Sequence, residues 1–259
     1  SYRARPTALR RLRAARQSKG DSLLRDRLKA CPSDPRVVPA EPRFPEPLPR
    51  RLPQSSVAGY NSRPMSKSPD PLSEVARLLT RAHEEESHDA TAATLATADT
   101  EGRPSARIVL IKDIDEAGIT FYTNLDSRKA HDLRANPRAA LCIYWPTLHK
   151  QVRVEGEVKT VGDAEADAYF TSRPRGSQIG AWASKQSEPL DSRRDLVKGF
   201  LGAQARFAGQ RVPRPPFWGG YRLVAERIEI WHNQLYRLHD RFLYQRQAEG
   251  AWTVQRLYP

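Results

Sequence analysis

The run WHNQLYRLHDRFLYQR, residues 231–246, sets Arg237, His239 and Arg241 two residues apart among aromatic neighbours. If the run is extended, all three side chains leave one face, because side chains alternate along a strand. Guanidinium groups donate to phosphate or stack on a flat ring, and imidazole donates or accepts a proton near neutrality. Such a face would make a floor for a planar, anionic ligand. Taken alone, RLHDR is more simply an exposed basic strand with an incidental histidine, so the rest of the chain has to decide.

More cations of the same kind recur: Arg107, Lys112, Arg128, Lys129 and Arg173, interleaved with Tyr122, Tyr169, Trp182 and Trp231. The segment SRKAHDLRANP, residues 127–137, predicts a helix that Ser127 caps and Pro137 stops. Arg128 and Lys129 then fall in the first turn, where the helix dipole disfavours cations. A bound phosphate would reverse that cost, since free amides at a helix N-terminus already favour an anion. Seven cations near aromatic rings suit one or two flat phosphorylated ligands, although composition alone leaves surface charge as an even alternative. A glycine-rich phosphate loop, zinc-ligand spacing and a Ser/His/Asp signature are all missing, which argues against nucleotide hydrolysis and metal chemistry.

The elements that must position these residues follow from periodicity. Leu72, Val75, Leu78, Leu79 and Ala82 recur at helical spacing, with Pro71 suited to the first turn. Strands are predicted over 91–99, 106–114, 119–125, 139–145 and 151–161, the second apolar on both faces and therefore central. Helical patterns cover 163–173, 174–187 and 193–207. After Pro213, Pro215 and Pro216 a last meander is expected over 220–232, 241–247 and 251–257, turning at Glu249-Gly250. Short strands at hairpin spacing with intervening helices predict a mainly β protein, an antiparallel barrel decorated by helices.

The chain of 259 residues carries a net charge of +13, distributed unevenly. Residues 1–64 hold 15 Lys and Arg against 5 Asp and Glu, a net +10, which leaves +3 for residues 65–259. The basic balance therefore describes a proline- and arginine-rich arm, residues 1–69, expected to be a disordered extension of a domain spanning 70–259. Met65, the only methionine, is read as the start, with the arm as upstream sequence. Cys31 and Cys142 make no disulfide framework, and no apolar run approaches the ~20 residues that span a bilayer. A cytoplasmic protein that binds neither membrane nor nucleic acid is expected.

In order, RIVLIK, FYTNLDSRKAHDL, QVRVEGEV, YFTSRPRGSQIGAWASKQS, PPFWGGYRL and IEIWHNQLYRLHDRFLYQR resemble the pyridoxine/pyridoxamine 5′-phosphate oxidase family. The resemblance runs from about Asp70 to Pro259, and SRPRGSQIGAW and RLHDRF are its most specific motifs. It implies an FMN-binding split β-barrel that works as a homodimer, with two flavin sites built from both subunits. It places flavin contacts on Arg107, Ile108, Val109, Leu110, Ile111 and Lys112, on Tyr122, Thr123, Arg128 and Lys129, and on Gln151, Gln186, Ser187, Trp231 and Arg241. Lys112, Tyr169, Arg173 and Ser177 would hold the substrate 5′-phosphate, with Arg237 and His239 over the pyridine ring as the catalytic pair.

The implied reaction oxidises pyridoxamine 5′-phosphate or pyridoxine 5′-phosphate to pyridoxal 5′-phosphate, with dioxygen reoxidising the flavin to give hydrogen peroxide. Arg237 would clamp the ring, and His239 would tune or accept a proton nearby. A flavin-binding carrier without oxidase activity would need Arg107, Arg128 and Lys129 but not Arg173, Ser177, Arg237 and His239 together; all are present. Two departures from the family stand out. The arm lacks the usual N-terminal segment that closes over the substrate, and HDATAATL leads into the first strand with Asp89 as its only candidate carboxylate.

Overall fold

The computed structural model describes residues 70–259. The expected disordered extension, Met65 and Cys31 lie outside the described residues. The first helix, α1 (Pro71–Glu85), begins as its sequence requires: the Asp70 carboxylate accepts from the amides of Leu72 and Ser73, and Pro71 occupies the first turn. Its buried stripe of Leu72, Val75, Leu78, Leu79 and Ala82 packs against the second strand.

Eight antiparallel strands follow: β1 (Ala92–Ala98), β2 (Pro104–Asp115), β3 (Gly118–Asn124), β4 (Arg138–Trp145), β5 (Lys150–Thr160), β6 (Trp218–His232), β7 (Asp240–Arg246) and β8 (Trp252–Leu257). Their order is β3-β2-β1-β4-β5-β6-β7-β8, and a further pairing of β3 with β6 closes the first six into a barrel. Strand β6 allows both closure and extension because it is long. Its start, Trp218–Leu223, pairs with β3, while Arg227–His232 pairs with β7. The change of neighbour needs a bend, and the β5–β6 register shifts at Glu155/Gly156. A side chain at Gly156 would run into the Val224 carbonyl.

Alternation fills the barrel with Leu95, Ile111, Phe121, Leu141, Ile143, Val152, Val154, Leu223 and Ile228. Four helices decorate the strands: α2 (Arg128–Ala135), α3 (Asp163–Ser172), α4 (Arg175–Ala183) and α5 (Arg193–Arg206). A second cluster of Phe170, Ile179, Phe207, Val212 and Trp218 forms with α3 and α4.

Three expectations change. Strand β2 is flanked on both sides, yet of its apolar residues only Val109, Ile111 and Ile114 join the core; Ile108, 62% exposed, and Leu110 face outward. The helix expected over 174–187 stops at Ala183, because Ser184 is already extended at φ −101° and ψ 117°; Ser187, at φ 76°, lies beyond it. The extended run through Arg237, His239 and Arg241 is broken. Leu235–Arg237 is a 3₁₀ turn in which Tyr236 and Arg237 have φ 58° and 61°, and β7 begins only at Asp240. The chain must reverse between His232 and Asp240, which pair with each other, and left-handed residues make that reversal.

Candidate active site

Three groups of polar and aromatic residues stand out. The first is an open pocket of about 370 Å³ lined by Ser105, Ala106, Arg107, Ile108, Arg128, Lys129, Gln186 and Ser187. It lies at the N-terminus of α2. Ser127 occupies the cap position as expected, but its hydroxyl turns back to donate to the Asn124 carbonyl, and no side chain caps the helix. The first-turn amides thus keep their affinity for an anion.

Lys129 is only 7% exposed. Its Nζ donates to Thr123 Oγ1, Ser127 Oγ and Gln186 Oε1 at 3.0, 3.1 and 2.9 Å, all neutral acceptors. Burial, with the nearby Arg107 charge, pushes its pKa down to about 8. Arg107 is held by Thr97 Oγ1 and Ser105 Oγ, each at 2.7 Å, and lies 3.6 Å from buried Asp132. One carboxylate therefore faces a group of cations, and the pocket is electropositive.

The second group is an aromatic stack. Tyr122 lies 4.0 Å from Tyr169 and 5.4 Å from Trp218, nearly parallel to both. Gly220 makes room for it, since a Cβ there would sit 2.7 Å from the Tyr122 ring. The Arg173 guanidinium covers Trp218 at 4.9 Å, and its Nη1 is buried without a hydrogen-bond partner. Sequence reasoning missed the residue that sets this corner. Gln178 Nε2 donates to the carbonyls of Phe170, Thr171 and Arg173, each at 3.1 Å, locking α3 onto α4. A lone amide on the apolar face of SQIGAW was its signal. Ser177, in the first turn of α4, is exposed. Burial raises the Asp89 carboxyl, but hydrogen bonds from Thr91, with a smaller contribution from the charge of Lys112 on β2, outweigh it and hold its pKa below the ordinary range. Asp89 itself accepts from the Thr91 amide and hydroxyl, which makes it a turn-forming residue here.

The third group crosses the outer face of the sheet. Tyr144, Gln151, Trp231 and Arg241 are successive cross-strand partners on β4 to β7 and form a single row. Beside them, Glu229, 4% exposed, accepts from Arg241 Nε and Nη2 at 2.8 and 3.1 Å and lies 3.0 Å from Arg153. Burial raises the Glu229 pKa, but Arg241 and Arg153 outweigh it and the net shift is downward. Sequence reasoning missed Glu229; its place two residues before Trp231, on the same strand face, was the available signal. His239 leans on Trp231 at 4.6 Å, and Arg237 is exposed on its turn.

The structure thus brings Arg107, Ile108, Arg128, Lys129, Gln186 and Ser187 together, with Thr123 tied in through Lys129. Gln151, Trp231 and Arg241 form their own row and do not line that pocket. Register connects the row to the pocket wall along the outer face, through Ile108, Thr94, Cys142, Arg153 and Glu229. That face also presents Leu110 and Tyr144, the latter 53% exposed. Val109 and Ile111 point into the core and can offer a ligand only their backbone.

A closed six-stranded antiparallel barrel with extra strands, flanking helices and a cationic helix-terminus pocket defines a split-barrel protein of the pyridoxamine-phosphate-oxidase type. Residues 79–199 match the family model described as pyridoxamine 5′-phosphate oxidase. Residues 218–259 match the pyridoxine 5′-phosphate oxidase C-terminal dimerisation region. The chain is 55% identical to the pyridoxine/pyridoxamine 5′-phosphate oxidase of Anaeromyxobacter dehalogenans, covering 76% of this chain and 98% of the relative. It is 54% identical to that of Myxococcus xanthus, covering 74% and 92%. Among solved structures, PhzG from Burkholderia lata, in complex with tetrahydrophenazine-1-carboxylic acid, superposes with TM-score 0.70 at 30% identity over 73% of this chain and 93% of that one. A pyridoxamine 5′-phosphate oxidase-related, FMN-binding protein from Nostoc punctiforme shares the fold, with TM-score 0.61 at 19% identity over 74% and 100%. The chain belongs to the pyridoxine/pyridoxamine 5′-phosphate oxidase family.

Proposed function

We propose that this protein is a cytoplasmic, FMN-dependent oxidase that converts pyridoxine 5′-phosphate and pyridoxamine 5′-phosphate to pyridoxal 5′-phosphate, working as a homodimer. The observation that carries the reading is the presence of two cations, Lys129 buried and Arg173 half-buried, with no anionic partner among the described contacts. Lys129 is bonded only to neutral oxygens, and Arg173 is stacked on Trp218 with Nη1 unpaired. Two phosphorylated ligands, a flavin mononucleotide and a phosphorylated vitamer, would satisfy one each.

The residues fit FMN. The uncapped α2 terminus with Arg128 and Lys129 suits one terminal phosphate, and the β2 wall from Arg107 to Lys112 suits a flat body lying along a strand. When bound, FMN supplies the hydride acceptor and, through reoxidation by dioxygen, releases hydrogen peroxide. Gln151, Trp231 and Arg241 would contact the flavin held by the other subunit, and the outward apolar residues Ile108, Leu110 and Tyr144 would be covered in that dimer.

On the substrate side, Arg173, Lys112, Tyr169 and Ser177 would anchor the 5′-phosphate. Anchoring far from the reacting C4′ turns binding energy into orientation. Arg237 would lie over the pyridine ring, its planar guanidinium pressing the ring toward the flavin, with His239 beside it. With pyridoxamine 5′-phosphate, water then releases ammonia from the oxidised amine. The test is the absorbance spectrum of the purified protein, followed by addition of pyridoxamine 5′-phosphate under air. A flavin spectrum that bleaches without oxygen and returns with peroxide formation is expected; a protein that stays colourless after incubation with FMN would overturn the reading.

A further inference from the structure

We propose that His239 acts in this reaction as a hydrogen-bond donor through Nε2–H and not as the base that takes a proton from the substrate. The proposal rests on the oxidase reading above. Its starting point is the backbone amide of Gln234, which donates to His239 Nδ1 at 3.2 Å. A peptide N–H can only donate, so Nδ1 must be the accepting nitrogen, and the single proton of the neutral ring then resides on Nε2. The partner's chemistry selects the tautomer.

The loop is built to keep that contact. Gln234 Nε2 donates to Asp240 Oδ2 at 3.0 Å, and Asp240 Oδ1 accepts from Arg256 Nη2 at 2.6 Å, which ties the loop's start to β7 and β8. The left-handed Tyr236 and Arg237 fold the chain back so that residue 234 reaches residue 239. Trp231 supports the ring from one side, 4.6 Å between centroids and tilted by 47°. Turning the imidazole over would leave the Gln234 amide facing a carbon.

Oxidation at C4′ breaks two bonds of the substrate. The C–H bond leaves with its electron pair as hydride to the flavin, and an O–H or N–H bond loses a proton while C=O or C=N forms. A ring whose Nδ1 lone pair is engaged and whose Nε2 already bears hydrogen takes neither. The proton goes to water, and His239 offers Nε2–H to an electron-rich oxygen of the bound vitamer, fixing its angle to the flavin.

Two measurements on the FMN-loaded dimer test this. Long-range ¹H–¹⁵N correlation spectra, with His239 assigned through loss of its signals in His239→Gln, should show the Nε2–H tautomer; the Nδ1–H form would overturn the proposal. Steady-state turnover of His239→Ala should fall about tenfold, the worth of one hydrogen bond. His239→Gln should recover most of that loss, because a carboxamide can donate near the Nε2 position but cannot act as a base. A Gln variant as slow as the Ala variant, with flavin content and thermal midpoint unchanged, would overturn the donor role and restore the base. If His239→Gln fails to fold, the tautomer in the wild-type protein decides alone. A flavin-loaded wild-type protein that oxidises neither vitamer would instead overturn the oxidase reading itself, and with it any part for His239 in that reaction.

Discussion

The α2 pocket and the turn carrying Arg237 differ in how much of their geometry one chain supplies. Lys129 is buried and makes three hydrogen bonds, Arg107 is held by two hydroxyls, and Gln186 ties the 184–187 segment to β3 through Thr123. The turn at 235–238 is exposed along its length, with Leu235, Tyr236 and Leu238 all open to solvent. The contrast assigns different tasks. A pre-formed pocket can take a ligand without reorganisation, whereas a surface turn whose apolar side chains are uncovered leaves them free to be covered.

The sharpest way to break this comparison is to remove the pocket's cations. Replacing both Arg128 and Lys129 by alanine deletes two charge-assisted contacts of about 1.5–3 kcal/mol each, so FMN affinity should fall by two orders of magnitude or more. Fluorescence titration of FMN measures it, and an unchanged dissociation constant would mean that the pocket is not the phosphate seat.

Next in size are Arg173 and Arg237. Arg173→Ala should raise KM roughly 10–100-fold with kcat less affected, because its anchor serves ground and transition states alike. Arg237→Ala should lower kcat as well as kcat/KM, and Arg237→Lys should rescue little, since an ammonium cannot lie flat over a ring. Equal effects on KM alone for all three variants would erase the division between anchor and aligner.

A smaller effect comes from pH. Lys129, with a pKa pushed down from 10.5 to about 8, binds fewer protons in the folded apo chain than in the unfolded one between those values. Its contribution to apo stability therefore rises with pH across that window. Phosphate binding requires the ammonium, so FMN affinity should be flat below pH 8 and fall above it, by at most about tenfold per pH unit for one proton. Affinity that stays level up to pH 9.5 would show that Arg128 and the helix amides hold the phosphate without Lys129.

The smallest change is expected from a chain that begins at Met65. Leu72 and the following core residues of α1 remain, so the thermal midpoint and FMN affinity should match those of the full chain. A lost thermal transition would show that residues 1–64 contribute to the fold.

Much of the architecture was legible because it is written locally. Alternation in 92–98 and 150–160, the Asp70-Pro71 helix start and the Glu249-Gly250 turn each depend on a few neighbouring residues, and the strands form almost where the pattern puts them. The cations around α2 were legible for the same reason, since two basic residues in a first turn conflict with the helix dipole and ask for an anion. The turn at 235–238 was not. RLHDR alternates as a strand would, and only the need to pair His232 with Asp240 forces the reversal.

By itself, then, the sequence determined which side chains could carry the chemistry and which short segments would hold them, because helix starts and strand alternation are properties of neighbours. The tertiary structure alone decided that Arg237 leaves the strand, that Glu229 receives Arg241, that Gln178 locks the corner beneath Arg173, and that the Gln234 amide selects the His239 tautomer. Each of those depends on register between strands or on backbone reversal across a loop, where the partner is chosen by the closure of the whole barrel and not by the residue beside it.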